Sequence, residues 1–95
     1  MANKQFSLVA HISTASPAKI KSALPDLVRG GLIERTGEGF RVTGKVRGTS
    51  ARELNRNLLS ALRRIERKTR LRAEWTGDET TEWFFDYVPK RVTKA

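Results

Sequence analysis

Apolar residues alternate with polar ones in some stretches of this chain and recur every three to four positions in others. Phe6-Ser7-Leu8-Val9-Ala10-His11-Ile12 is apolar at every second position, with Val9 added, which predicts a well-buried strand. Ser16-Pro17 follows as an N-cap and a first helical residue, where proline's missing N–H and fixed φ do no harm. The predicted helix carries Ile20, Ala23, Leu24, Leu27 and Val28 on one side; Pro25 should kink or split it, and Gly30-Gly31 should end it. Leu32 to Arg35 and Phe40 to Arg47 flank Thr36-Gly37-Glu38-Gly39 and read as a hairpin. Its second strand places Phe40, Val42, Gly44 and Val46 on one face and Arg41, Thr43, Lys45 and Arg47 on the other.

The best-marked helix starts at Ser50-Ala51-Arg52-Glu53, a capping-box pattern. Ala51, Leu54, Leu58, Ala61, Leu62 and Ile65 then form one apolar stripe, with the helix continuing to about Lys68. Arg70 to Thr76 alternates again, Gly77-Asp78 suggests a turn, and Thr81 to Val88 reads as a last, aromatic strand. The resulting order, β-α-β-β-α-β-β, predicts an α+β two-layer sandwich of the ferredoxin-like split βαβ kind, with two helices on one face of an antiparallel sheet. A winged-helix variant is the alternative, because Leu27 to Gly37 resembles a recognition helix running into a wing, although only one helix precedes that hairpin. Ninety-five residues make a single domain, 1–95, with residues 1–5 and 89–95 expected to be flexible.

Charge changes the picture more than composition does. The chain is formally +9, and the stretch from Lys45 to Arg72 holds ten basic residues against Glu53 and Glu66, which accounts for eight of those nine charges. Glu74 to Asp86 carries Glu74, Asp78, Glu79, Glu82 and Asp86 with no basic residue. A concentrated positive field steers polyanions and raises their local concentration. On a helical wheel Arg52, Arg63, Arg56 and Arg67 fall within roughly 60° of one another and point away from the apolar stripe, forming a row roughly 22 Å long. Arg64 and Lys68 flank it. A solvated helix face is the bland explanation of such a row, but it accounts poorly for five arginines and one lysine against two glutamates, since the guanidinium fork suits phosphate.

The sheet offers a second basic surface, with Arg41, Lys45, Arg47, Arg70 and Arg72 opposite the helices. Trp83, Phe85 and Tyr87 share one side of the last strand and are expected in the core; facing solvent beside Arg70 and Arg72, they form a stacking platform for single strands. Gly39-Phe40-Arg41-Val42 only brushes the RNP1 pattern of RNA-reading sheets. The chain is therefore expected to be a small nucleic-acid-binding module of weak sequence specificity, for DNA or RNA. Its contacts are assigned to Arg52, Arg56, Arg63, Arg64, Arg67, Lys68, Arg70, Arg72, Lys45 and Arg47. A homodimeric or other protein-interaction module joining basic and acidic surfaces is the competing expectation.

Catalysis is not expected. His11 is the only histidine, read as structural on a buried strand, and with no cysteine there is neither a metal site nor a thiol nucleophile, so no cofactor is implied. The glycines form neither a dinucleotide fingerprint nor a P-loop. No apolar run approaches the length of a bilayer span and no apolar leader is present, which points to a cytoplasmic protein without a membrane partner.

Overall fold

Strand β1 (Lys4–Ser13) buries Phe6, Leu8, Ala10 and Ile12 and exposes Ser7 and His11, so its two faces have opposite character. The computed structural model describes the backbone of residues 4–94 and the side chains of residues 4–90. The remaining elements are α1 (Pro17–Leu27), β2 (Leu32–Arg35), β3 (Gly39–Gly48), α2 (Ala51–Ile65), β4 (Arg70–Gly77), β5 (Thr80–Phe85) and β6 (Val88–Lys94). The protein is thus α+β, with two helices and a six-stranded antiparallel sheet of order β2-β3-β1-β4-β5-β6.

One face of that sheet meets the helices. Phe6, Leu8, Ala10 and Ile12 of β1, Phe40 and Val42 of β3, Leu71, Ala73 and Trp75 of β4 and Phe84 of β5 form one core with Ile20, Leu24, Leu54, Leu58, Leu59 and Leu62 of the helices. Burying a large apolar side chain of this kind contributes about 1.5–3 kcal/mol. Gly44 lies on the same face, where a Cβ would press on Val28 and Gly31 after α1, so its lack of a side chain lets that turn close onto β3.

Several expectations change in detail. Pro25 does not split α1, which runs as one helix with the proline exposed in its last turn and ends at Leu27, before Gly30-Gly31. Ser16 occupies the N-cap of α1 without a side-chain cap; its own N–H donates to Thr14 Oγ1 at 3.0 Å. At α2, Ser50 Oγ accepts from the Glu53 N–H at 3.1 Å, but the Glu53 carboxylate takes the Thr49 hydroxyl at 2.7 Å instead of completing the box. The helix stops at Ile65, short of Lys68, since Glu66 is its C-cap and its carboxylate accepts the Lys68 N–H at 2.8 Å.

The largest difference lies at the C-terminal end, where the expected aromatic strand is two strands. Asp86, with φ of 56°, turns the chain after Phe85, and Val88–Lys94 pairs back on β5 as a sixth strand. Pro89 is admissible there because β6 is an edge strand. Lys4 and Gln5 likewise belong to β1; residues 1–3 and 95 of the expected flexible ends lie outside the described residues. The β4–β5 turn uses Asp78 and Glu79, both at positive φ, as in a two-residue hairpin loop. The winged-helix alternative does not fit, since among the described residues one helix precedes the β2–β3 hairpin and β1 runs through the middle of the sheet. No helix among the described residues is long and apolar enough to cross a membrane.

Candidate nucleic-acid interface

The arginine row on α2 is interrupted. Arg52, Arg56 and Arg64 are exposed, but Arg63 is half-buried and engaged: its Nε donates to the Thr69 carbonyl at 3.0 Å, its Nη2 pairs with Asp86 Oδ1 at 3.2 Å, and its guanidinium lies 5.4 Å from the Tyr87 ring centre. Tyr87 also covers Ser60, with 3.1 Å between the two hydroxyl oxygens. Arg67 and Lys68 fall beyond the helix, in the turn after the Glu66 cap. The basic residues of the last turn, Arg63 and Arg64, also complement the helix dipole, which is a structural use of charge.

Asp86 explains why Arg63 is taken. Its carboxylate accepts the Leu71 N–H at 2.9 Å and pairs with Arg63 and, through Oδ2, with Arg70 at 3.2 Å. Its backbone N–H donates to the Leu71 carbonyl, and its own carbonyl accepts from Asn55 Nδ2 at 2.7 Å. Asn55 is buried in α2 and accepts the Trp75 Nε1–H at 3.2 Å, so one hydrogen-bonded chain ties α2, β4 and the β5–β6 turn together. The acidic hairpin is therefore partly consumed within the molecule. Asp78 pairs with Lys4 at 2.8 Å, a hydrogen bond and attraction that hold the lysine above its usual pKa.

Among the described residues, the opposite side of the sheet carries no helix. Strand register puts Arg41, Lys45 and Arg47 of β3, His11 of β1, Arg70 and Arg72 of β4, and Trp83 and Phe85 of β5 on this open face, together with Glu34 and Glu74. Lys45, Arg47, Arg70 and Arg72 thus share one surface, whereas Arg52, Arg56 and Arg64 lie on the other side of the domain. Trp83 and Phe85 are half-exposed, not core; Phe84, of the opposite parity, is the buried one. Tyr87 does not share their side, because the turn at Asp86 sends it to α2.

Phe85 is the focus of this face. The Arg70 and Arg72 guanidinium groups lie 4.9 and 5.3 Å from its ring centre, and the Lys90 ammonium 6.0 Å. Such distances are within cation–π range, and they place three positive charges around one half-exposed aromatic ring. A concave groove of about 650 Å³ opens beside it, lined by His11, Ser13, Thr36, Gly37, Glu38, Arg70, Arg72 and Phe85. Arg72 also borders two smaller hollows of about 220 and 210 Å³, shared with Trp83 and Lys90 and with Trp83 and Val9.

His11 is exposed on this face, which corrects the buried, structural reading. The parity of Phe6, Leu8, Ala10 and Ile12 carries that information in the sequence; Val9 blurred it. No cluster of metal-ligating side chains occurs among the described residues. Comparison with known protein families, curated proteins and solved structures finds nothing that matches this chain.

Proposed function

We propose that the protein binds single-stranded nucleic acid across the open face of its sheet, with weak sequence specificity. The observation that carries this reading is Phe85, half-exposed and surrounded by Arg70, Arg72 and Lys90 on a face without a covering helix. Every base has a π-face, so an aromatic ring stacks on bases without reading their identity, while flanking cations contact the backbone. Guanidinium planes also stack on bases, which lets Arg70 and Arg72 serve in either role. In this reading the first four strands, in the order β2-β3-β1-β4, correspond to a ferredoxin-like split βαβ plait extended by the β5–β6 hairpin.

Compared with the arginine row, this face supplies stacking as well as charge. The row has lost Arg63 to Asp86 and Arg67 to the turn, leaving Arg52, Arg56 and Arg64 for long-range attraction. Competition between a short single strand and a duplex of the same length is the direct test. A duplex hides its base faces, so the single strand binds at least about 10-fold more tightly at equal salt. Equal or tighter duplex binding returns the function to the helix face. A salt-sensitive dimer that ignores both ligands indicates self-association instead.

A further inference from the structure

Strand β3 outruns its outer neighbour. β2 pairs only with Phe40–Thr43, so β3 continues from Gly44 to Gly48 with β1 on one side and, among the described residues, no strand on the other. Gly39 fixes which backbone groups face that side: its N–H donates to Thr36 Oγ1 at 3.1 Å and its carbonyl accepts the Thr36 N–H at 2.9 Å. The Thr43 carbonyl, of the same parity, faces Gly31. Backbone groups of an antiparallel strand point alternately to its two neighbours, and β3 pairs with β1 in unbroken register from Gly39 to Gly48. Lys45 and Arg47 therefore turn their N–H and carbonyl groups outward, where no described residue satisfies them.

Both sides of this edge have a definite character. On the helix side, Val46 lines a hollow of about 180 Å³ between the end of α1 and α2, with Leu27, Leu54, Leu58 and Trp75 in its walls. A cavity of about 150 Å³ takes a benzene-sized group, so the hollow has room for one branched aliphatic side chain. On the open side, Lys45 and Arg47 are exposed and form no ion pair among the described residues. We propose that the Lys45–Gly48 edge of β3 accepts an extended segment of another protein as an added antiparallel strand, with acidic residues opposite Lys45 and Arg47 and an apolar residue between them seated against Val46. Main-chain bonds supply affinity in such a pairing, and the alternate side chains supply specificity. Basic residues on an edge also guard against aggregation. Here they repel a second copy of β3, or the basic edge strand β6, and leave an acidic strand as the matched occupant. Lys45 lies four residues along the sheet and three strands across from Phe85, roughly 20 Å away at about 3.4 Å per residue and about 4.8 Å per strand, so this edge is separate from the proposed stacking face.

The test uses the full chain and a short capped peptide of alternating glutamate and valine, followed by fluorescence anisotropy. Two isomers of that peptide carry N-methyl groups either on the central glutamate amides, which face β3 in the proposed pairing, or on the valine amides, which face away. The glutamate-methylated isomer binds at least about 10-fold more weakly than the valine-methylated one. Serine in place of the central valine weakens binding about 5-fold. Lys45→Glu with Arg47→Glu lowers affinity about 10-fold or more and creates a preference for a peptide with lysine in place of glutamate, whereas Arg52→Glu with Arg56→Glu, the same change in net charge, alters binding by about 3-fold or less. Equal binding by the two methylated isomers overturns the proposal, as does absence of peptide binding or a loss in the Lys45/Arg47 double variant without inverted preference while its circular dichroism is unchanged. Displacement of the peptide by a short oligothymidylate overturns it as well, because general charge attraction then accounts for the binding. Sedimentation showing a dimer that the peptide dissociates assigns the edge to a second copy of the chain instead.

Discussion

The outer face of α2 and the open face of the sheet both present arginines to solvent, but they differ in what surrounds each guanidinium. On α2, Arg63 is held by Thr69, Asp86 and Tyr87, and the row it belonged to ends where Glu66 caps the helix. On the sheet, Arg72 and Arg70 stand beside a half-exposed ring and a groove; Arg70 shares Asp86 with Arg63 but is the more exposed of the two. The difference teaches that a run of like charge mixes two uses, one joining secondary-structure elements and one facing a partner, and that three-dimensional neighbours separate them.

The largest expected effect tests the structural side of that contrast. Asp86→Ala leaves the Leu71 N–H and the half-buried Arg63 without their carboxylate, and should cost about 2–4 kcal/mol of stability. Arg63→Gln should cost about 1 kcal/mol and Arg56→Gln less than about 0.5 kcal/mol, as chemical denaturation would report. Similar losses for Arg63 and Arg56 would place both on an ordinary solvated face.

Next in size is a charge-matched pair of triple variants. Arg41→Gln, Arg72→Gln and Lys90→Gln together should weaken oligothymidylate binding about 30-fold or more, whereas Arg52→Gln, Arg56→Gln and Arg64→Gln together should weaken it less than about 4-fold, through the loss of long-range attraction. Equal losses measured by fluorescence anisotropy would mean that net charge, not the face that carries it, governs binding. Phe85→Leu sharpens the same comparison, with an expected loss of about 5- to 10-fold for a base-bearing strand and none for an abasic one. The smallest effect is on ionic strength. With about four phosphates contacted, the double-logarithmic salt slope for a single strand should be near roughly −3, and the sheet-face triple variant should flatten it by about 2.

Much of the fold was legible because burial follows the two periods. The parity of Phe40, Val42, Leu71, Ala73 and Trp75 identified the core face of β3 and β4, and with it the open face carrying Arg41, Lys45, Arg47, Arg70 and Arg72. The break at Asp86 was not legible, since positive φ at an aspartate is stabilised by contacts with Leu71 and Asn55, which lie far away in the chain. That break turns one aromatic strand into two, separates Tyr87 from Trp83 and Phe85, and supplies the carboxylate that takes Arg63 out of its row. For His11 the signal was present in the alternation of β1, but Val9 made the strand look buried on both sides.

The central claim is that the open sheet face, not α2, meets the ligand. The most direct measurement is an NMR titration of the labelled protein with a short oligothymidylate, following backbone amides and side-chain resonances together. The account predicts shifts concentrated on His11, Arg41, Arg72, Trp83 and Phe85, with Arg52, Arg56 and Arg64 nearly unmoved. Shifts centred on α2, with the β1, β4 and β5 resonances unchanged, would contradict it.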